Sequence, residues 1–208
     1  GALVAGRGDR LSGRRAMSAV LGFGVSGPHG ARWYSERKLQ RLIAAALDGG
    51  VRHFDTAPFY GEAEMRLGRA LSAHRSGEVF VSTKTGTRRA GGRLVKDFTE
   101  AGMRSDVDRS RRALGRDALD LLYLHGPSAR EINIAFPVLS ALKAEGKIKA
   151  FGVCGEGVPL AHALALGADA IMGAYNFIDR RHEALFRQAR AAGVMTVAIT
   201  PLAQGALA

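Results

Sequence analysis

The sequence predicts an α/β chain of the (β/α)8, TIM-barrel-like class, incomplete, with seven strands visible. Three observations carry this. Short apolar runs alternate with longer amphipathic stretches from about residue 20 onward. Glycines close the helical stretches at Gly49, Gly50, Gly146, Gly167 and Gly193, as helical crossovers between parallel strands require. Polar residues stand at the C-terminal ends of successive strands: Asp55, Lys84, His125, Cys154 and Asn176. An open doubly wound sheet fits the strand count, but polar groups spread around a ring favour a barrel.

Residues 1–16, "GALVAGRGDRLSGRRA", are basic and glycine-rich and are expected to form a flexible arm, with the barrel domain spanning 17–208. The first strand is "AVLGFGV". Its "GFGVSG" matches the dinucleotide fingerprint G-x-G-x-x-G, yet Pro28, His29 and Gly30 follow, and no helix can start before about Ser35 to face a pyrophosphate. A tight loop leaving a barrel strand explains these glycines as well. Next come a helix at 35–47, strand "VRHFD", a helix at 62–71 and strand "EVFVSTK". A long arginine-bearing loop interrupts. The rhythm resumes with a helix at 100–114, strand "LDLLYLH", helix "INIAFPVLSALKAEG", strand "IKAFGVC", helix "PLAHALALG", strand "ADAIMGAY", helix "HEALFRQARAAG" and strand "VMTVAIT".

The 208 residues, 47% hydrophobic and 24% charged, suffice for one sizeable core. No run approaches the roughly 18 apolar residues of a membrane span, and "GALVAG" is too short for a signal-peptide core. Neither a membrane partner nor a secretory route is expected, and the expected location is cytoplasmic. A single cysteine, Cys154, excludes an internal disulfide framework and a cysteine-rich zinc site. The net charge of +11 is spread along the chain without interleaved aromatics, so no nucleic-acid partner is expected.

Asp55, Tyr60, Lys84 and His125 form a chemical set at the ends of three predicted strands. A tyrosine with pKa near 10 is a reluctant donor at neutral pH, and a nearby Lys⁺ favours its ionised form. Asp55 could hold that lysine while His125 orients a substrate oxygen, which makes an acid aimed at a carbonyl. Each residue alone also has an ordinary structural explanation, with Asp55 capping a helix, Lys84 salt-bridged and His125 satisfied in a loop.

Together they bring a resemblance. "FDTAPFYG", "STKTG", "DLLYLHGPS" and "YNFIDRR", in that chain order, resemble the motifs of the aldo-keto reductases. The resemblance covers residues 20–208. It implies NADPH-dependent reduction of a small carbonyl substrate (or oxidation of the matching hydroxy compound) on a (β/α)8 barrel. In that reading Tyr60 is the proton donor, Lys84 and Asp55 tune it, and His125 positions the carbonyl. The same resemblance places the nicotinamide-binding positions at Cys154, Gly155, Met172 and Ile199. Here they depart from the family pattern: Gly155 stands for an Asn, Met172 for a Gln and Ile199 for the aromatic under the ring.

The family's eighth strand and last helices, with groups for the adenosine phosphates, are expected to be missing. Three functions therefore stay open: a reductase with an unusual nicotinamide site, a cofactor-independent acid–base enzyme (dehydratase, isomerase or lyase), or a catalytically silent binding protein. Trp33 and Tyr34 are candidates for an apolar substrate wall and Glu156 for a base or an amine-binding carboxylate, while Arg88, Arg89 and Arg93 could meet an acidic substrate but fit solvated loop charges better. A barrel one strand short leaves two sticky edges for the 1–16 arm, a second copy of the chain or a distinct partner to fill; the arm's Gly and Arg make it a poor strand, so a homo-oligomer through those edges is expected.

Overall fold

The computed structural model describes residues 2–6, 20–74 and 78–207. Seven strands run parallel in the order β2 (Val20–Gly24), β3 (His53–Asp55), β4 (Phe80–Thr85), β7 (Leu121–His125), β8 (Phe151–Cys154), β9 (Ala170–Ala174) and β10 (Met195–Ile199). An eighth, β1 (Ala2–Gly6), lies antiparallel between β10 and β2 and closes the barrel. Six (β/α) units and a seventh parallel strand are thus present, and β1 fills the gap between β10 and β2.

This bears on two expectations. The Arg and Gly content of residues 1–16 predicts an arm and a poor strand, but the apolar "ALVAG" within them forms β1, in register with Leu21 and Ala198 through Val4. The remainder of that arm, residue 1 and residues 7–16, lies outside the described residues. The edges expected to recruit a second copy are paired within the chain, so the homo-oligomer expectation loses the unpaired groups on which it rested.

Helices α1 (Glu36–Asp48), α2 (Ala63–Ala73), α3 (Glu100–Leu114), α4 (Ala129–Ala144), α5 (Val158–Ala165) and α6 (Glu183–Ala191) cover the outside. Their starts are written in the sequence. Ser35 caps α1 by accepting from the Lys38 amide, Thr99 caps α3, and Ser128 with Glu131 completes a capping box on α4. Leu39, Ile43 and Leu47 recur every four residues on α1 and are buried against the sheet, each contributing about 1.5–3 kcal/mol of hydrophobic burial. Strand alternation separates two cores: an outer one between helices and barrel, and an inner one of Leu121, Tyr123, Cys154, Met172, Met195 and Val197.

The long loop expected after β4 is instead a hairpin, β5 (Thr87–Ala90) and β6 (Arg93–Lys96), turning at Gly91 and Gly92 with positive φ. Behind β4, Thr83 donates to the buried Glu64 of α2 at 2.6 Å and Thr85 to the buried Asp106 of α3 at 3.0 Å. Burial raises the Glu64 pKa, which the Thr83 and Ser110 hydroxyls partly offset. These bonds pin the outer face of the strand whose inner face carries Lys84.

Candidate active site

The parallel register sets the site's floor. Asp55 ends β3 opposite Ser82, Lys84 lies opposite Tyr123, His125 opposite Cys154, and Cys154 opposite Met172. Residues two apart on a strand share a face, so Lys84 stands one step above Ser82 and reaches down to Asp55. Its Nζ donates to Asp55 Oδ2 at 2.5 Å and to the Thr56 carbonyl at 2.8 Å. Lys84 is 1% exposed. Burial opposes its charge, but the neighbouring Asp55, then Tyr60 and Cys154, outweigh that and hold its pKa above the ordinary lysine value.

Tyr60 arrives on a single turn of 3-10 helix, Pro58–Tyr60, just beyond β3. A close backbone contact fixes this turn: a Cβ at Gly30 would stand 1.5 Å from the Tyr60 carbonyl oxygen. Gly30→Ala is therefore expected to displace the turn and to destabilise the fold by about 1–3 kcal/mol, the usual cost of overpacking. Urea unfolding of the variant measures it; an unchanged midpoint would mean that the turn yields freely.

The Lys84 ammonium lies 5.1 Å from the centre of the Tyr60 ring. Burial raises the Tyr60 pKa above 10.0, and the charge and hydrogen bond of Lys84 offset this only in part. The expectation of a net acidified phenol is thus corrected: Tyr60 keeps its proton at neutral pH, and Lys84 limits the rise rather than reversing it. Tyr123, beneath the site, is fully buried, and its hydroxyl has no partner among the described residues. Burial, then Asp55 and Cys154, push it well above the ordinary range.

His125 packs edge-on against Tyr60 and Phe59, with ring centres 6.0 and 5.7 Å away. Its Nδ1 is buried without a partner among the described residues. Burial, then Lys84, lower its pKa from 6.5 to about 4, against an opposing pull from Asp55. The imidazole is neutral at pH 7 and can donate one ring N–H. Because the unfolded chain takes up this proton near 6.5 and the folded chain only near 4, His125 contributes stability above 6.5 that is lost as pH falls through that window. An NMR titration of the His125 ring should give a midpoint near 4; a midpoint near 6.5 would contradict the burial argument.

A cavity of about 440 Å³ opens above these groups, lined by Asp55, Tyr60, Lys84, Cys154, Met172 and Ile199 together with Gly24, Ser26 and residues of the 200–205 segment. Burial, opposed by Lys84, pushes the Cys154 thiol up to about 11, so it presents a neutral apolar sulfur. The remaining predicted residues are not in the lining, His125, packed beside the phenol, among them. Gly155 gives its amide to the Met172 carbonyl at 3.0 Å. Trp33 is 78% exposed and Tyr34 packs on His29 with ring centres 5.2 Å apart. Glu156 turns outward to Arg181 at 3.3 Å. Arg88 is neutralised by Asp97 at 3.3 Å, while Arg89 stacks on Phe59 at 4.7 Å.

The sequence reading missed the segment after β10. Thr200, Pro201, Leu202, Gln204 and Gly205 line the cavity. Thr200, Ala203 and Gln204 hold positive φ of 54, 47 and 57°, and they are the non-glycine residues in that region of backbone space among those described. Such conformations cost on the order of 1–3 kcal/mol each and gather at binding sites. No propensity rule places them there. Among the described residues, no cluster of three or more His, Cys, Asp or Glu could hold a metal, and no helix is long and apolar enough to cross a membrane.

Comparison with known proteins places this geometry among relatives. The family model described as "Aldo/keto reductase family" matches residues 20–208. D-threo-aldose 1-dehydrogenase of a Pseudomonas species is 36% identical over 161 residues, covering 64% of this chain and 49% of that protein. NADH-specific methylglyoxal reductase of Escherichia coli is 30% identical over 200 residues, 86% of this chain and 61% of that one. The solved glycerol dehydrogenase of Gluconobacter oxydans superposes with a TM-score of 0.77 at 27% identity, over 89% of this chain and 60% of its own. The chain spans about half to three fifths of the length of the curated relatives it matches.

Proposed function

Since this chain belongs to the aldo/keto reductase family, we propose that it reduces the carbonyl of a small aldehyde or ketone with NADPH or NADH, Tyr60 delivering the proton. The observation that carries the reading is the convergence of Tyr60, Lys84 and Asp55 on one cavity, with His125 packed beside the phenol. The relatives' names support both nucleotides: one is called NADH-specific, and solved relatives are titled as complexes with NADP or NADPH.

The lining fits a nicotinamide in a way that departs from the family pattern. Cys154, Met172 and Ile199 give an apolar stretch on which a flat ring can rest, and Ser26, Thr200 and Gln204 supply polar groups for its carboxamide. The reduced nicotinamide, when bound, supplies the hydride. Everything else falls to the chain. Neutral His125 donates a ring N–H to the substrate oxygen and orients it. Tyr60 gives its Oη proton to that oxygen as negative charge builds there. The phenolate left behind is stabilised by Lys84, which Asp55 and the Thr56 carbonyl hold in place.

Titration with NADPH and with NADH, followed by nucleotide fluorescence, tests the reading. Saturable binding of either, with turnover of methylglyoxal or a simple aldose, is expected. Failure of both nucleotides to bind would favour the second reading, a cofactor-independent acid–base enzyme, to which the altered Gly155, Met172 and Ile199 positions point.

A further inference from the structure

The Asp55 carboxylate has two oxygens, and the acid centre described above uses one. Oδ2 faces Lys84, while Oδ1 accepts from Ser82 Oγ at 2.7 Å. Ser82 in turn meets His53 Nε2 at 3.0 Å. A serine hydroxyl has a single hydrogen. An ionised carboxylate cannot donate, so that hydrogen is committed to Asp55, and Ser82 can meet His53 only as an acceptor. His53 Nε2 therefore carries a proton. The result is a line of bonds pointing one way, from His53 Nε2–H to Ser82 Oγ–H to Asp55 Oδ1, ending at the oxygen pair that holds Lys84.

Strand geometry builds this line. His53 and Asp55 are two apart on β3, Ser82 and Lys84 two apart on β4, and Asp55 lies directly opposite Ser82, so all four share the barrel's inner face. None is more than 4% exposed. The His53 ring is further set edge-on against Phe80, with ring centres 5.1 Å apart and planes at 89°. A carboxylate held by a lysine alone can turn about its soft terminal torsion, which is broad and two-fold. Anchored through Oδ1 it cannot, and the direction in which Lys84 is pulled is fixed.

We propose that Ser82 and His53 are positioning residues of the acid centre, locking Asp55 so that its other oxygen keeps Lys84 beneath Tyr60. The proposal rests on the reading of Tyr60 as proton donor, with Lys84 as the group that steadies its phenolate. Neither residue touches substrate; each acts through Asp55.

Two measurements on the full chain test this, one with turnover and one without. In Ser82→Ala, kcat for methylglyoxal reduction should fall about 10- to 100-fold, the equivalent of losing a hydrogen bond to a charged group, with KM within about twofold. Ser82→Thr, which keeps the hydroxyl, should recover most of the loss. The second measurement is the ¹⁵Nζ–¹H NMR correlation of Lys84, which needs no catalysis. It should be visible in the parent and in Ser82→Thr, and shifted or broadened away in folded Ser82→Ala. A Lys84 signal unchanged in folded Ser82→Ala overturns the proposal whether or not the protein turns over. A kcat within twofold of the parent does so where it does turn over. Absence of reductase activity in the parent, with the Lys84 signal responding as expected, would count against the reductase reading and leave the positioning role standing.

Discussion

Tyr60→Phe is expected to lower turnover by about 10²–10⁴-fold, the usual contribution of a positioned general acid, while leaving the fold intact. The phenol is the group at the cavity to which the proposed function gives the proton transfer. His125 is deprotonated there, since its pKa lies near 4, and Lys84 is held firmly in its charged form by Asp55. Tyr123, the other phenol nearby, is sealed in the barrel interior and absent from the lining. Removing the Tyr60 hydroxyl deletes one atom at the edge of a cavity, so packing changes little. Steady-state kinetics beside a thermal melt make the measurement. Full activity in folded Tyr60→Phe would refute both enzymatic readings together.

Much of this arrangement could be read from the chain because its signals are local and repeated. The β-run and the helix after it recur six times, with glycine stops at Gly49, Gly115, Gly146, Gly167 and Gly193, and Ser35, Thr99 and Ser128 mark helix starts by their own hydrogen bonds. Asp55, Lys84 and His125 were placed at strand ends by the same rhythm. Three things were not local. The pairing of Ala2–Gly6 joins segments almost two hundred residues apart, and an average over an arginine-rich arm hid its short apolar core. The hairpin Thr87–Lys96 carried a Gly-Gly turn flanked by residues too basic to look like strands. The outward turn of Glu156 depends on Arg181, a partner 25 residues away.

The sign of the Tyr60 shift was illegible for a physical reason as well. A sequence gives the identity of a charged neighbour but not the depth of burial. Here burial outweighs the lysine. The same burial gives the Asp55–Lys84 pair its leverage over stability, because an ammonium with 1% exposure cannot fall back on water if its partner is removed.

Asp55→Ala is accordingly expected to destabilise the fold by about 3–5 kcal/mol, the cost of leaving a buried charge without its partner. Adding Lys84→Met should restore part of that loss, since replacing both charges by apolar groups removes the orphan along with the pair. The pH dependence separates this from mere cavity formation. In the parent, Asp55 raises the Lys84 pKa above its ordinary 10.5, so the pair's contribution is fully present below that value and is lost as pH rises beyond it. In Asp55→Ala the largest remaining influence is burial, which lowers the lysine's pKa in the folded state. The unfolded chain then binds the extra proton, and stability must rise as pH is raised from 7 toward 10. Urea unfolding at pH 7 and pH 9 compares the two directly. A variant that is no more stable at pH 9 than at pH 7, or a double variant no better than Asp55→Ala alone, would show that the lysine finds another partner or water, and that the carboxylate is not what holds it.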